Sequence, residues 1–233
     1  MAVKALSDFL KTSTVFAGVP PREVDRLAAV AREDRYRARE YVFSEGDPAT
    51  WFCFVRSGHV RIFRQSRVGK DVVLELLGPG EPFGGVAVIE RRPYPASAQA
   101  TEAAVVVKIP ADPVVTLSER HPSMIREMAS MIGRRLRTAH DSVTSLAADP
   151  VETRLAATLL RLAEREGTKE RHGLTLPYHL TRQSLADMTG TTVETTIRVL
   201  SRWLKDGLVR EHDNHLVVPS VDALRELARG EPE

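Results

Sequence analysis

The sequence predicts an α+β fold in three parts: a β-rich N-terminal domain, one long helix, and a C-terminal helical module that ends in a hairpin. Three observations carry this reading. Between about residues 40 and 110, short apolar runs alternate with glycine turns at roughly ten-residue spacing, the pattern of a small barrel or sandwich. From Asp112 the rhythm becomes helical, and Ile125, Met128, Ile132, Leu136, Ala139, Val143 and Leu146 recur at steps of three and four. Beyond Asp149-Pro150 a second helical rhythm starts and runs to "LVREHDNHLVVP", a hairpin with its turn at Asp213-Asn214. The divisions expected are 1–112, 113–148 and 149–233.

In the β-rich part, "WFCFVRSGHVRIFRQ" holds two apolar runs around the turn Ser57-Gly58. "DVVLELLGPGEPFGG" follows, its strand ending at Gly78-Pro79-Gly80, and "AAVVVKIP" is a further strand. The third glycine of "GPGEPFGG" falls one place late for G-x-G-x-x-G. No helix start is expected after it, so it is not read as a phosphate-cradling loop. The stripe from Ile125 to Leu146 covers about six turns, or 30 Å. Packing within one chain or a two-helix dimer seam both account for it, and its length and narrowness favour the seam. Asp149 reads as an N-cap, Pro150 as the first helical residue and Glu152 as the capping-box partner; Pro150 also breaks the long helix.

The next two helices carry the chemistry. "TRQSLADM" is short, with Leu185 and Met188 facing inward, and the turn Thr189-Gly190-Thr191 joins it to "VETTIRVLSRWLKD". At 100° per residue, Glu194, Arg198, Arg202 and Lys205 share one side of the second helix, and Thr196, Val199, Leu200 and Trp203 share the other. Two helices joined by a tight glycine turn make a helix-turn-helix. Small residues at the front of the second helix let its backbone approach bases in a major groove. Glu194 is suited to accept from a cytosine amino group and Arg198 to pair bidentately with guanine. Thr192, Thr195 and Arg182 are candidate phosphate contacts; Gln183 and Val193 complete the candidate DNA-contacting set. Thr191-x-x-Glu194 also reads as a capping box, with the charges a solvated face. The preceding helix, the turn and the following wing-like hairpin favour the DNA reading.

Composition adds exclusions. The net charge is only +2, and residues Thr181–Glu233 hold seven Lys/Arg against nine Asp/Glu. Any nucleic-acid site must therefore come from local placement. Cys53 is the only cysteine, which rules out an internal disulfide and a cysteine-held iron–sulfur cluster. No metal-ligating cluster is expected. No apolar run approaches the ~20 residues that span a bilayer. "MAVKALSDFLK" carries Asp8 and does not read as a signal peptide, so the expectation is a cytoplasmic protein with no membrane partner. No H-E-x-x-H, G-x-S-x-G or P-loop is present, and no catalytic residues are nominated.

Three stretches carry a family resemblance. "LTRQSLADMTGTTVETTIRVLSRWLKDGLV", "VFSEGDPATWFCFVRSGHVRIF" and "LLGPGEPFGGVAVIERRPYPASAQA" resemble the winged helix-turn-helix, the β-roll and the ligand cassette of the Crp/Fnr transcription regulators. Met124 to Leu146 is similar to that family's dimerisation helix. The resemblance implies an antiparallel, jelly-roll-like β-roll, a homodimer on a near-palindromic double-stranded DNA site, and contact with RNA polymerase. Val193-Glu194-Thr195 with Arg198 matches the family's base-reading pattern and implies a TGA-like half-site core. Ile197 stands where residues vary with operator choice.

The cassette departs from cyclic-AMP-responsive members. Gly85 replaces the ribose-binding Glu, Tyr94-Pro95-Ala96 replaces Arg-Ser-Ala, and Ala139-His140 replaces the adenine-contacting Thr-Ser. Tyrosine cannot supply the fixed charge and fork of Arg against a phosphate, so cyclic AMP is not expected to bind usefully. By resemblance the effector pocket comprises Phe83, Gly84, Gly85, Val86, Tyr94, Ala96, Ala139 and His140. The effector itself is left open. Haem, as in gas-sensing relatives, is one candidate, with His59 and His140 the histidines nearest the expected pocket. A winged helix turned against a protein partner is the alternative to DNA binding.

Overall fold

The computed structural model describes residues 2–66, 69, 71–176, 180–213 and 215–230. Contacts divide the chain into two compact units, Met1–Arg64 with Leu74–Arg137, and Gln65–Val73 with Thr138–Glu233.

The first unit opens with helices α1 (Ala2–Lys11) and α2 (Pro21–Val30). Eight strands follow: β1 (Arg32–Tyr36), β2 (Tyr41–Phe43), β3 (Trp51–Ser57), β4 (Val60–Gln65), β5 (Asp71–Leu77), β6 (Pro82–Phe83), β7 (Ser97–Ala100) and β8 (Ala104–Pro110), with α3 (Gly85–Glu90) between β6 and β7. They form two four-stranded sheets, ordered β1-β8-β3-β6 and β2-β7-β4-β5. Strands β1 and β3 both pair antiparallel with β8, with Cys53 opposite Lys108 and Arg32 opposite Lys108 across the middle of the first sheet.

Central strands β3 and β8 are apolar on both faces, for a simple reason. Phe52, Phe54, Val107 and Ile109 pack with Leu10, Val24, Leu27, Val114 and Leu117 of the flanking helices. Cys53, Val55 and Val106 face the second sheet with Val42, Val60 and Ala98. A strand covered on both sides reads as an unbroken apolar run rather than an alternating one; "WFCFV" is such a run, and "AVVVKI" is broken only by Lys108, which is buried and pairs with Asp34 at 3.4 Å. At the β3–β4 turn, Gly58 has φ +71° and lies against Ala103 and Ala104, where a side chain has no room.

The expectation that no helix follows "GPGEPFGG" is corrected: α3 starts at Gly85, with Gly84 in the left-handed conformation at its N-cap. It has only six residues, of which Val86, Val88 and Ile89 are β-branched, and this hid the turn from a periodicity argument. Then come α4 (Ala111–Arg120) and the long α5 (Pro122–Ala148).

In the second unit, α6 (Val151–Glu166) precedes a hairpin of β9 (Thr168–Glu170) and β10 (Gly173–Thr175) that periodicity had missed. These strands are three residues each, below the length at which alternation is readable. Then follow α7 (Arg182–Thr189), α8 (Val193–Asp206), β11 (Arg210–His212), β12 (His215–Val218) and α9 (Val221–Arg229). The four strands form one sheet ordered β11-β12-β10-β9. Of the predicted hairpin turn, Asp213 has φ +48°, and Asn214 lies outside the described residues. The capping assignment before α6 is also corrected. Pro150 is the N-cap residue, and Asp149 accepts from Ser145 Oγ instead.

Candidate nucleic-acid interface and ligand cassette

The helix-turn-helix assembles from local rules. Thr181 caps α7 by accepting from the Ser184 amide. Gly190 closes that helix with φ +61°, a position that favours glycine. Thr192, not Thr191, is the N-cap of α8: its Oγ1 accepts from the Thr195 amide at 3.2 Å and donates to Thr195 Oγ1 at 3.1 Å. Thus the opening threonines satisfy the helix's free amides, and the capping-box reading is shifted by one residue. Thr196, Val199, Leu200 and Trp203 are buried, each 7% exposed or less. Glu194, Arg198, Ser201, Arg202 and Lys205 are exposed. One amphipathic helix therefore offers a charged face from a firmly seated base.

The candidate contacts differ in their present engagement. Arg182 Nη2 donates to Glu211 Oε1 of β11 at 2.5 Å, and Gln183 Nε2 donates to Asp187 Oδ1 at 2.7 Å. Val193 is half-buried at the first helical position, and Arg198 is exposed one turn beyond Glu194. Arg202, on the same face by wheel angle, pairs with Glu152 of α6. Glu152 Oε1 also accepts from Trp203 Nε1 at 2.8 Å. Burial alone would raise the Glu152 pKa, but the hydrogen bonds from Arg202 and Trp203 together hold it below the ordinary value. Arg154 Nε donates to the Thr189 carbonyl at 2.9 Å and its Nη1 to the Asp149 carbonyl at 2.7 Å. It fastens the end of α7 to the start of α6. Sequence reasoning missed Glu152 and Arg154 as supports, because their partners are 51 and 35 residues away.

The cassette is packed with the chain's own side chains. Phe83, Gly85, Tyr94 and Ala96 are buried, and Val86 is 41% exposed. A Cβ on Gly85 would sit 2.6 Å from the Phe52 ring and 3.0 Å from Met128 Cε, and one on Gly84 would sit 3.0 Å from Tyr94 Cε1. Tyr94 stacks on Phe43. Its hydroxyl donates to the Trp51 carbonyl at 2.6 Å and accepts from the Trp51 amide at 3.1 Å. Burial pushes the Tyr94 hydroxyl pKa upward. At the two positions that the family pattern assigns to ribose and phosphate, the chain has a glycine niche closed by Phe52 and Met128 and a phenol bonded to the backbone of Trp51.

His59, 4% exposed, has Nδ1 2.6 Å from Glu102 Oε1 and ties the β3–β4 turn to the β7–β8 turn. Ala139 and His140 are exposed on α5, in the part of the chain grouped with the second unit. Arg135 of α5 donates from Nη2 to the Pro82 carbonyl at 2.9 Å and pairs with Glu75 at 3.0 Å, fixing the helix to the cassette's first strand. Among the described residues, no group of three or more His, Cys, Asp or Glu could hold a metal ion. Among the same residues, no helix is long and apolar enough to cross a membrane.

The α5 stripe separates into two uses. Ile125, Ile132, Leu136, Val143 and Leu146 are 39% to 66% exposed, and Ala139 is exposed with them. Met128, counted in the same stripe by spacing, is 4% exposed and belongs to the core of the first unit.

Comparison with known proteins agrees with this architecture. The cyclic nucleotide-binding domain model matches residues 33–121, and the Crp-like helix-turn-helix domain model matches residues 153–227. The cyclic AMP receptor protein of Thermus thermophilus is 31% identical over 221 residues, covering 95% of this chain and 99% of that one. The solved structure of the c-di-GMP-responsive global regulator CLP of Xanthomonas campestris is 25% identical, with a TM-score of 0.71 over 86% of this chain and 100% of that one. FixK2 from Bradyrhizobium japonicum shares the fold at 24% identity, with a TM-score of 0.75 over 85% of this chain and 97% of that one. With a roll, a long helix and a Crp-like helix-turn-helix in one order and over nearly the whole length, the chain belongs to the Crp/Fnr family of transcriptional regulators.

Proposed function

We propose that the chain works as a homodimer on a near-palindromic DNA site with TGA-type half-sites, and that its roll does not take cyclic AMP. The observation that carries the DNA reading is the front of α8. Glu194 and Arg198 stand exposed one turn apart above a buried Thr196–Val199–Leu200–Trp203 base. That spacing lets the two side chains read neighbouring base pairs in a major groove. The dimer rests on α5, where Ile132, Leu136 and Val143 expose 40%, 53% and 66% of their surface in one line. A narrow apolar seam of this kind is buried by a second helix. Contact with RNA polymerase and a cytoplasmic location follow from the family role.

One relative is named a cyclic AMP receptor protein, and likeness across the roll would extend that ligand to this chain. The cassette argues against it. Gly85 offers no carboxylate, its niche is closed by Phe52 and Met128, and Tyr94 is bonded through both hydroxyl functions. Neither the ribose nor the phosphate finds a partner. An effector, if the roll uses one, shifts populations between dimer arrangements by binding one more tightly.

The test is selection of binding sites from a random duplex pool by the full chain, followed by affinity across a salt series. Enrichment of a two-fold symmetric site, with centres about 34 Å apart and a steep salt slope, is the expected result. Failure to enrich any sequence would overturn the reading. Calorimetry with cyclic AMP is expected to give no heat, and micromolar binding would overturn the second part.

A further inference from the structure

Arg182, at the first helical position of α7, is the charged member of the three candidate phosphate contacts; Thr192 and Thr195 are the others. Its guanidinium is already engaged. Nη2 donates to Glu211 Oε1 at 2.5 Å, between residues 29 apart in the chain. The two side chains are 30% and 45% exposed. Strand β11 presents the carboxylate by register. Glu211 stands opposite the buried Leu216, and Arg210 and His212 on either side of it point to the other face of the strand. A carboxylate of the wing-like hairpin thus sits on a cation of the helix pair that is read as facing DNA.

Stabilisation of the fold does not account for this pair. Ion pairs so exposed contribute little, and the hairpin is already seated through Leu216, Val217 and Val218, all buried. Its weight lies in the charge balance. Residues Thr181–Glu233 hold seven Lys/Arg against nine Asp/Glu, so each cation that can reach a phosphate matters. A phosphate that captures Arg182 must displace Glu211. The displaced carboxylate, close to the duplex, repels the phosphates and draws a cation back from solution. The exchange releases little net counterion, whereas an arginine without a carboxylate partner would release one.

We propose that Glu211 is a built-in competitor for Arg182. It holds the guanidinium in the DNA-free chain and yields it to a phosphate on binding. Affinity for every duplex is lowered, and sequence choice is left to the base-reading face of α8. The proposal rests on the DNA-reading role stated above.

The test uses the full chain, the site selected from random duplex, and a scrambled duplex of equal length. Affinity is read by fluorescence anisotropy across a salt series for the native chain, Glu211→Gln, Arg182→Gln and the double variant. Glu211→Gln keeps an oxygen for Arg182 and removes only the charge. It should bind both duplexes more tightly, by about threefold per half-site and so about tenfold for a dimer on its selected site, the scale of one exposed ion pair. Log affinity should also fall more steeply with log salt, by about one per half-site. In the Arg182→Gln background the same change should gain less than about twofold, since only the repulsion between Glu211 and the phosphates is then relieved. Weaker or unchanged binding by Glu211→Gln overturns the proposal, because the carboxylate then orients Arg182 or stands idle. An equal gain in both backgrounds overturns it as well, because the effect is then one of net charge and not of competition for Arg182. With a symmetric site enriched, either result removes the competitor and leaves the DNA-reading role standing. If no sequence is enriched at all, both fall together.

Discussion

Tyr94 lies flat against Phe43, with ring centroids 3.6 Å apart and planes 10° from parallel. Its hydroxyl is held at both ends by the backbone of Trp51. A residue at a position where the family pattern places a ligand contact is here part of the roll's core. Tyr94→Ala should cost about 3–5 kcal/mol of stability, the range for emptying a buried aromatic site. Tyr94→Phe should cost about 1–3 kcal/mol, because the Trp51 amide and carbonyl lose their partner. Denaturant unfolding of both variants checks the order. A Tyr94→Phe variant of unchanged stability would show that the hydroxyl bonds are not made.

The exposed α5 side chains predict a different kind of loss. Leu136 is 53% exposed in the single chain, so Leu136→Glu removes little packing within it. The variant should keep its unfolding transition yet sediment as a monomer at micromolar concentration. Its affinity for a two-half-site duplex should fall by about 100-fold or more, because the second half-site is no longer bound intramolecularly. Analytical ultracentrifugation alongside anisotropy separates this from misfolding.

The outline of the fold was legible because its signals are periodic and long. The α5 stripe and the opposed faces of α8 follow from a 3.6-residue repeat, and their burial obeys the wheel at Thr196, Val199, Leu200 and Trp203. What was missed was short or non-local. Helix α3 has six residues and the β9 and β10 strands three each, too few for a repeat to register. Met128 sits in the stripe by spacing yet turns into the core, because a helix lying on a domain buries some residues against it at the same angular step. In the candidate site, spacing placed Glu194 and Arg198 on one face. The pairing of Arg202 with Glu152 and the closure of the Gly85 niche by Phe52 join residues far apart in the chain, and no local pattern encodes them.

Arg198 and Arg202 share a helix face but not an environment. Arg198 is exposed in the front half of α8, whereas Arg202 is held by Glu152. Arg198→Ala should therefore cost on the order of 1–3 kcal/mol of binding at one base step and relax discrimination there. Arg202→Ala should leave base preference unchanged. Binding measured on the selected site and on each single-base variant distinguishes the two. Equal loss of discrimination in both variants would count against the assignment.

Cys53 is fully buried between the two sheets of the roll. Burial pushes its thiol up to about 12, with the nearby Lys108 ammonium pulling the other way. The thiolate is the reactive form, and it is scarce at pH 8 in the folded chain. A thiol reagent such as DTNB should leave the native protein untouched over minutes and titrate one equivalent once guanidinium unfolds it. Rapid labelling of the native chain would mean that the roll opens on that timescale.

The second unit should respond to acid through Glu152. Its carboxylate holds Trp203 Nε1 and the Arg202 guanidinium, and those hydrogen bonds outweigh burial to lower its pKa in the folded chain. A carboxyl group that binds its proton less readily when folded adds stability above its unfolded pKa. That stability is lost as pH falls through the glutamate range and below, from roughly pH 4.5 downward. Glu152→Gln keeps an oxygen for Trp203 but removes the charge facing Arg202. At pH 7 the variant should be less stable by a few tenths to about 1 kcal/mol, since Arg202 is more than half exposed and solvent weakens the pair. Toward pH 3 the difference between native chain and variant should shrink, because acid neutralises the native carboxyl and removes the charge that the variant lacks. Trp203 fluorescence follows the transition at both pH values. A stability difference that stayed constant from pH 7 to pH 3 would assign the effect of the substitution to packing rather than to charge.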